Sequence, residues 1–354
     1  MSTVSIKDVA EAAKVSLPTA YAALNQTGRV ATQTRERIQS LAKSMGYSPS
    51  YRAKALASGK SFAVGLLHAG DSSFSGKLFD QMIQGFSYDL TNAGYHLVHL
   101  PVHQDRAALK QSVSEQRVDG YLVMQPTPPK LDELLGKLNG PAVLVNLTSQ
   151  HPASAVLIDE AYSVELIADH LAELGYDSAF YVTLSRETVF DSHSHYSVAE
   201  RHAAMLGRFG DNLTVLNGEI LDEGQRGSET GMDQVAAQIK ADLGRPGSPR
   251  VVVVYNDHMA MCLLQALSRE KVRVPQDLGM VVFDDTFGYY ATPPLTCVAQ
   301  PALEVGQKAA EILMQQIQRS GGSSPVAMPE VRLRSQLIVR DSLLPADLTG
   351  PTKG

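Results

Sequence analysis

Residues 4–50 read VSIKDVAEAAKVSLPTAYAALNQTGRVATQTRERIQSLAKSMGYSPS, and this stretch divides into three short helices. Ser5 and Asp8 form a capping pair ahead of an apolar-periodic run with Val9, Ala10 and Ala13. Ser16 is the next N-cap, with Pro18 in the first turn behind it, where a missing N–H costs little; that helix runs to about Asn25. Asn25-Gln26-Thr27-Gly28 is loop chemistry, after which Thr32 or Thr34 caps a third helix bearing Ile38, Leu41, Ala42 and Met45 until Gly46 stops it. Only Lys14-Val15-Ser16 separates the first two helices. Two short helices joined by so tight a turn make a helix-turn-helix.

Charge supports that reading. Residues 1–60 hold nine Lys or Arg against three acids, a net charge of +6, whereas the rest of the 354-residue chain carries -12. A basic module on an acidic body is built to meet a polyanion at one end. Residues 47–60, YSPSYRAKALASGK, follow as a linker with a proline, a Ser50 cap and a turn or two of helix. Beyond it, β-rich runs alternate with amphipathic helices: Phe62–His68, a helix carrying Leu78, Phe79, Met82, Ile83, Phe86 and Leu90, Tyr95–Leu100, a helix near Ala107–Glu115, Tyr121–Met124, then Phe180–Leu184, Leu213–Leu216, Val251–Val254 and Val281–Phe283. The alternation predicts parallel sheets covered by helices, and about ten strands are too many for one sheet of usual width, so two lobes with a cleft between them are expected.

Composition excludes several classes. Cys262 and Cys297 are the only cysteines, too few for a disulfide framework, which points to a reducing cytoplasm. The first residues lack a signal-peptide core, and no apolar run approaches the roughly 18 residues of a spanning helix, so no membrane partner is expected. His193 and His195 near Asp191, and His96, His99 and His103, have no cysteine partners, and no metal site is expected. The chain has no Gly-x-Ser-x-Gly, phosphate loop or Gly-x-Gly-x-x-Gly, and no nucleophile with a base in register; neither catalytic residues nor a cofactor are expected.

These residues resemble the lactose-repressor (LacI/GalR) family of bacterial transcription regulators. The N-terminal string matches its pattern through Ile6-Lys7-Asp8-Val9-Ala10, Val15-Ser16, Leu24-Asn25 and Thr34-Arg35-Glu36-Arg37. The body continues the match at Arg117-Val118-Asp119-Gly120, Pro141–Asn146, His170–Gly175, Asn256–Ala260, Phe283-Asp284-Asp285 and Pro294-Leu295-Thr296. The resemblance implies an α helix-turn-helix DNA-binding domain (residues 1–46), a hinge helix or linker (47–60), and an α/β effector-binding and dimerisation domain (61–354). The last would be two doubly wound parallel-sheet lobes, periplasmic-binding-protein-like. It implies a homodimer, operator DNA as partner, and a small-molecule effector, sugar-like by preference, between the lobes.

By the same resemblance, DNA contacts fall on Ser5, Ile6, Ser16, Leu17, Pro18, Thr19, Tyr21, Ala22, Asn25 and Thr34, and on Tyr47, Ser50, Ala53, Lys54 and Leu56 of the linker. Family members often carry Arg where Ala22 stands; Leu17, Pro18 and Ala22 cannot form bidentate bonds to bases and are limited to methyl contacts or steric exclusion. Leu56 occupies the position of a leucine that wedges into the minor groove. Lys54 and Ser50 replace the usual Arg and Asn. In the cleft, Asp159, Arg201, Asn256 and Asp284 stand at strand ends or helix starts, where open α/β sheets place ligand groups, with Phe74, Phe190 or Phe287 as stacking faces. Asp257 and Asp285 are the expected caps, and Met259, Met261 and Cys262 read as core. The rival readings are a solute receptor without DNA and a cleft enzyme, against which the first 60 residues and the lack of catalytic motifs argue.

Overall fold

The computed structural model describes residues 4–24, 28–47, 59–69, 76–102, 118–124, 130–184, 195–218, 229–319 and 330–349. Its contacts divide the chain into Met1–Phe62 and Ala63–Gly354. In the first unit the capping pair is in place. The Ser5 amide donates to Asp8 Oδ2 at 2.7 Å, and the Asp8 amide reaches back to Ser5 Oγ, opening α1 (Ile6–Ala12). Lys14 takes a left-handed conformation (φ 51), so the chain reverses and α2 (Leu17–Leu24) starts behind Ser16, whose Oγ accepts the Thr19 amide at 3.3 Å. Helix α3 (Thr32–Ser44) departs from expectation. Ala31, not Thr32 or Thr34, stands at its N-cap, because the Arg35 amide already bonds the Ala31 carbonyl at 3.0 Å and Thr32 is inside the first turn. Val9, Ala13, Ala23, Ile38 and Ala42 close the small core. Asn25 and the hinge candidates Ser50, Ala53, Lys54 and Leu56 lie outside the described residues.

Among the described residues the second unit has two six-stranded sheets, twelve strands where about ten were expected. The N-terminal lobe contains β1 (Ala63–Ala69), β2 (His96–Val102), β3 (Gly120–Met124), β4 (Ala142–Val145), β5 (Ser154–Ile158) and the late β11 (Val331–Leu333), in the order β11-β5-β4-β3-β1-β2. The C-terminal lobe repeats that order as β12-β10-β9-β8-β6-β7, from β6 (Ala179–Thr183), β7 (Leu213–Asn217), β8 (Val251–Val254), β9 (Gly279–Phe283), β10 (Thr296–Ala299) and β12 (Gln336–Ile338). Pairings are parallel except at one edge, where β12 runs antiparallel to β10 with Cys297 opposite Ile338. Strands β3, β5, β6, β8 and β9 are buried at every residue, which is why they read as unbroken apolar runs.

Helices α4 (Lys77–Asn92), α5 (Leu131–Leu135), α6 (Glu160–Glu173), α7 (Tyr196–Phe209), α8 (Glu229–Leu243), α9 (Asp257–Arg269) and α10 (Ala302–Arg319) are the described α-helices of the unit. The expected helix near Ala107–Glu115 lies outside them. The chain changes lobe three times, at Asp159, at Gln300-Pro301 and at Arg334-Ser335. The first and last of these connections are tied together by the Asp159 amide on the Leu333 carbonyl at 2.8 Å and by Ser163 Oγ on Ser335 Oγ at 2.9 Å. Helix α10 follows β10 of one lobe yet packs on α4 of the other. There a Cβ on Gly85 would lie 2.3 Å from the Leu303 carbonyl and one on Gly306 2.1 Å from that of Met82, so the two backbones touch and only glycine fits. No described helix is long and apolar enough to cross a membrane.

Candidate functional site

The first turn of α2 faces outward. Leu17 is 40% exposed and Ser16 and Pro18 are exposed; Thr19, Tyr21 and Ala22 are half-buried, while Ala20 and Ala23 face the core. The exposed leading edge of this helix is therefore apolar and uncharged. Ser5 is exposed, and Ile6 and Thr34 are half-buried. Tyr47 packs against the three-helix core, and burial, with Tyr21 nearby, raises its phenol above the usual range.

Between the lobes the strand ends gather a buried polar centre. Glu160 opens α6 directly after the first crossover and is 1% exposed; Arg201, two turns into α7, is 2% exposed. The guanidinium grips the carboxylate with both prongs, Nε to Oε2 at 2.7 Å and Nη2 to Oε1 at 3.1 Å, and Nη1 donates to the Tyr255 carbonyl at 2.7 Å. Its Cζ lies 5.0 Å from the centre of the Tyr255 ring and 4.3 Å from that of Phe283, and Asp284 Oδ1 stands 3.6 Å from Nη2. Asp284 has φ 72, its amide bonds the Val298 carbonyl at 3.0 Å, and its Oδ1 accepts from Gln300 Nε2. Burial pushes the Asp284 carboxyl up to about 7 against the pull of Arg201. Burial likewise raises Glu160, again opposed by Arg201.

A neutral chain of hydrogen bonds leaves this centre for the other lobe. Asn146, just past β4, presents its carbonyl to His195 Nε2 at 2.8 Å, so that nitrogen carries the proton and Nδ1 is an acceptor. Ser197 Oγ meets Nδ1 at 2.6 Å and lies 2.8 Å from the Tyr255 hydroxyl. Donation therefore runs from Tyr255 to Ser197 to His195 to Asn146. Beside it the Tyr196 hydroxyl donates to Asn146 Oδ1 and accepts the Ile158 amide at 2.9 Å. Burial lowers His195 to about 4, consistent with a neutral ring.

Of the residues singled out in the sequence, Arg201 and Asp284 come together, but Arg201 is not a free fork over the cleft: Nε and Nη2 hold Glu160 and Nη1 holds the Tyr255 carbonyl. Asp159 and Asn256 serve as helix caps, accepting the Tyr162 amide at 3.0 Å and the Met259 amide at 2.7 Å. That reverses the expectation for Asp257 and Asp285. Asp257 instead accepts the Thr286 and Phe287 amides, holding the neighbouring loop, and Asp285 pairs with both prongs of Arg340 at 2.8 Å. Phe74 and Phe190 lie outside the described residues, and Phe287 is 45% exposed, in edge contact with His258. Sequence reasoning missed Asn146, Glu160, His195 as a bridge, Ser197, Tyr255 and Gln300. The one available signal was an acid beginning a helix at a strand end.

A helix-turn-helix unit and, in the same chain, a unit of two α/β lobes with the same strand order define the class of DNA-binding proteins that also carry a binding-protein-like domain. Residues 5–50 match the family model of bacterial regulatory proteins, lacI family, and residues 168–343 match that of the periplasmic binding protein-like domain. The chain is 28% identical over 349 residues to the HTH-type transcriptional repressor PurR of Vibrio vulnificus, covering 96% of this chain and 98% of that protein. It is 27% identical over 348 residues to the repressor of the same name from Photobacterium profundum, with the same coverage. The fold resembles the lac repressor dimer bound to operator, with TM-score 0.69 and 23% identity over 97% of this chain and all of that one. It also resembles a CelR–cellobiose complex, with TM-score 0.62 and 20% identity over 96% and 99%. The two family matches together with the likeness to these repressors along almost the whole chain support a DNA-binding transcription regulator of the LacI/GalR type.

Proposed function

We propose that this repressor holds its operator as a homodimer in the cytoplasm and that a small, hydroxyl-rich, sugar-like effector entering between the lobes changes that grip. Residues 1–46 read DNA, 47–60 form the hinge with Leu56 as its minor-groove wedge, and 61–354 bind effector and dimerise. The observation that carries the reading is the bridge from Asn146 through His195 and Ser197 to Tyr255: a ligand hydroxyl can replace any of these neutral bonds, and replacing them changes how the lobes are held. Relatives in fold have been solved with cellobiose and with ribose, which fits such an effector. The test is a thermal-shift screen of sugars and sugar derivatives, since a ligand of the folded state raises its melting temperature, followed by operator titration with and without each hit. Hits that bind yet leave operator affinity unchanged would overturn the proposal.

A further inference from the structure

We propose that Arg201 carries its own counter-anion, Glu160, so that the space between the lobes admits a neutral or cationic ligand rich in hydrogen-bond donors and refuses phosphorylated or carboxylated ones. The inference rests on the reading that the effector binds between the lobes. An arginine at a strand-end cleft is ordinarily an anion fork, because its planar donors match the two oxygens of a carboxylate or phosphate. Here that match is made inside the protein. Nε and Nη2 are held by Glu160 and Nη1 by the Tyr255 carbonyl, and the remaining Nη2 side faces Asp284 at 3.6 Å. With the Tyr255 and Phe283 ring centroids 5.0 and 4.3 Å from its Cζ, the guanidinium already has its counter-charge in place, and a second anion would have to compete with Glu160 for it.

The charge count points the same way. One guanidinium faces two carboxyls, so the centre is neutral when Asp284 is protonated and negative when it is not. An incoming phosphate would add negative charge to a buried site already short of cations. Of the other described cations near the lobe junction, Lys77 Nζ donates to the Asp285 carbonyl at 2.9 Å, Arg332 pairs with Glu200 and Glu330, and Arg334 lies over the Tyr162 ring at 4.6 Å. One buried acceptor is left over beside Asp284. Gln300 spends its amide N–H on Asp284 while its Oε1 has no partner, and such an oxygen takes a hydroxyl or amine proton, not another oxygen.

The experiment uses the full chain. Calorimetry compares matched pairs, ribose with ribose 5-phosphate and glucose with glucose 6-phosphate and glucuronate; each anionic member should bind at least tenfold more weakly than its neutral parent or not at all. An anionic member that binds more tightly than its parent overturns the proposal. Independently, Glu160→Gln and wild type are melted in inorganic phosphate and in chloride at equal ionic strength. Phosphate should raise the Tm of Glu160→Gln by several degrees more than that of wild type, since the variant's Arg201 lacks an anion and phosphate supplies one. Phosphate effects on the DNA-binding unit are common to both proteins and cancel. Equal shifts in the two proteins overturn the proposal. If no sugar of either kind binds while the phosphate gain persists, the sugar reading falls and the charge assignment stands. If Glu160→Gln does not fold, the matched pairs on wild type decide.

Discussion

The two lobes place the same backbone device at the same position and put different chemistry on it. Strand β4 is followed at once by Asn146 (φ 53), whose amide bonds the Val156 carbonyl of β5 at 2.8 Å; its counterpart β9 is followed by Asp284 (φ 72), whose amide bonds the Val298 carbonyl of β10 at 3.0 Å. Asn and Asp are the non-glycine residues that tolerate the left-handed region best, so the backbone explains both choices equally. The head groups then part ways. The amide is neutral and reaches across to Tyr196, with its carbonyl on His195, whereas the carboxylate stays in its own lobe beside Arg201. The difference teaches where opening is cheap. Neutral hydrogen bonds contribute about 0.5–1.5 kcal/mol each, while separating a buried ion pair costs several kcal/mol. The buried charges are kept together within the C-terminal lobe, and the buried contact described between the lobes is made of neutral bonds.

The largest effect should come from breaking the charged half. Arg201→Met removes the cation from two buried carboxyls and should cost about 3–5 kcal/mol of stability, read from urea unfolding, with much of it recovered in Arg201→Met/Glu160→Gln. A loss under about 1 kcal/mol would mean that Glu160 and Asp284 are not held by charge, and the contrast between lobes would collapse.

A second pair of variants sharpens the contrast through pH. Asp284 is raised from its ordinary value to about 7, so its contribution to stability is full in acid and lost as pH rises through 7. His195 is lowered from 6.5 to about 4, so its contribution is full above 6.5 and lost as pH falls through 4. The two slopes oppose each other between about pH 4 and 7 and flatten the profile. Asp284→Asn should unmask a loss toward acid, and His195→Gln a loss toward neutrality, in urea midpoints measured across that window. Two variants with unaltered wild-type profiles would show that neither group titrates as its surroundings require.

Much of the fold was legible because burial on both sides of a parallel sheet leaves an apolar signature, as in Val251–Val254, and because caps such as Ser5 with Asp8 act within one turn. Thr32 misled because cap position depends on which carbonyl the fourth residue reaches, which composition does not encode. The site was half legible. Arg201 and Asp284 stood out as polar residues at element ends, but Glu160 is 41 positions from Arg201 and meets it only because the chain crosses lobes at Asp159. Asn256 and Tyr255 are adjacent, yet the amide was spent on a cap while the carbonyl and ring of its neighbour did the holding. No periodicity carries that distinction, since it is set by three connections that lie far apart in the chain, at residues 159, 300–301 and 334–335.

The smallest effect tests whether charge ever ties the lobes. Lys77, at the start of α4, donates to the Asp285 carbonyl at 2.9 Å, a charged bridge between lobes that lies at the solvent-exposed rim. The ammonium there keeps most of its hydration, and ordering a long side chain opposes what the bond gains, so Lys77→Met should change stability by less than about 0.5–1 kcal/mol. Effector affinity should change by less than about tenfold, because 1.4 kcal/mol is the most such a bond could transmit to the closed state. The measurement is a urea titration beside calorimetry at low and high salt, where screening should shrink even this small effect. A loss comparable to that of Arg201→Met would place a charge at the heart of closure, and the division into a charged lobe and a neutral contact would be wrong.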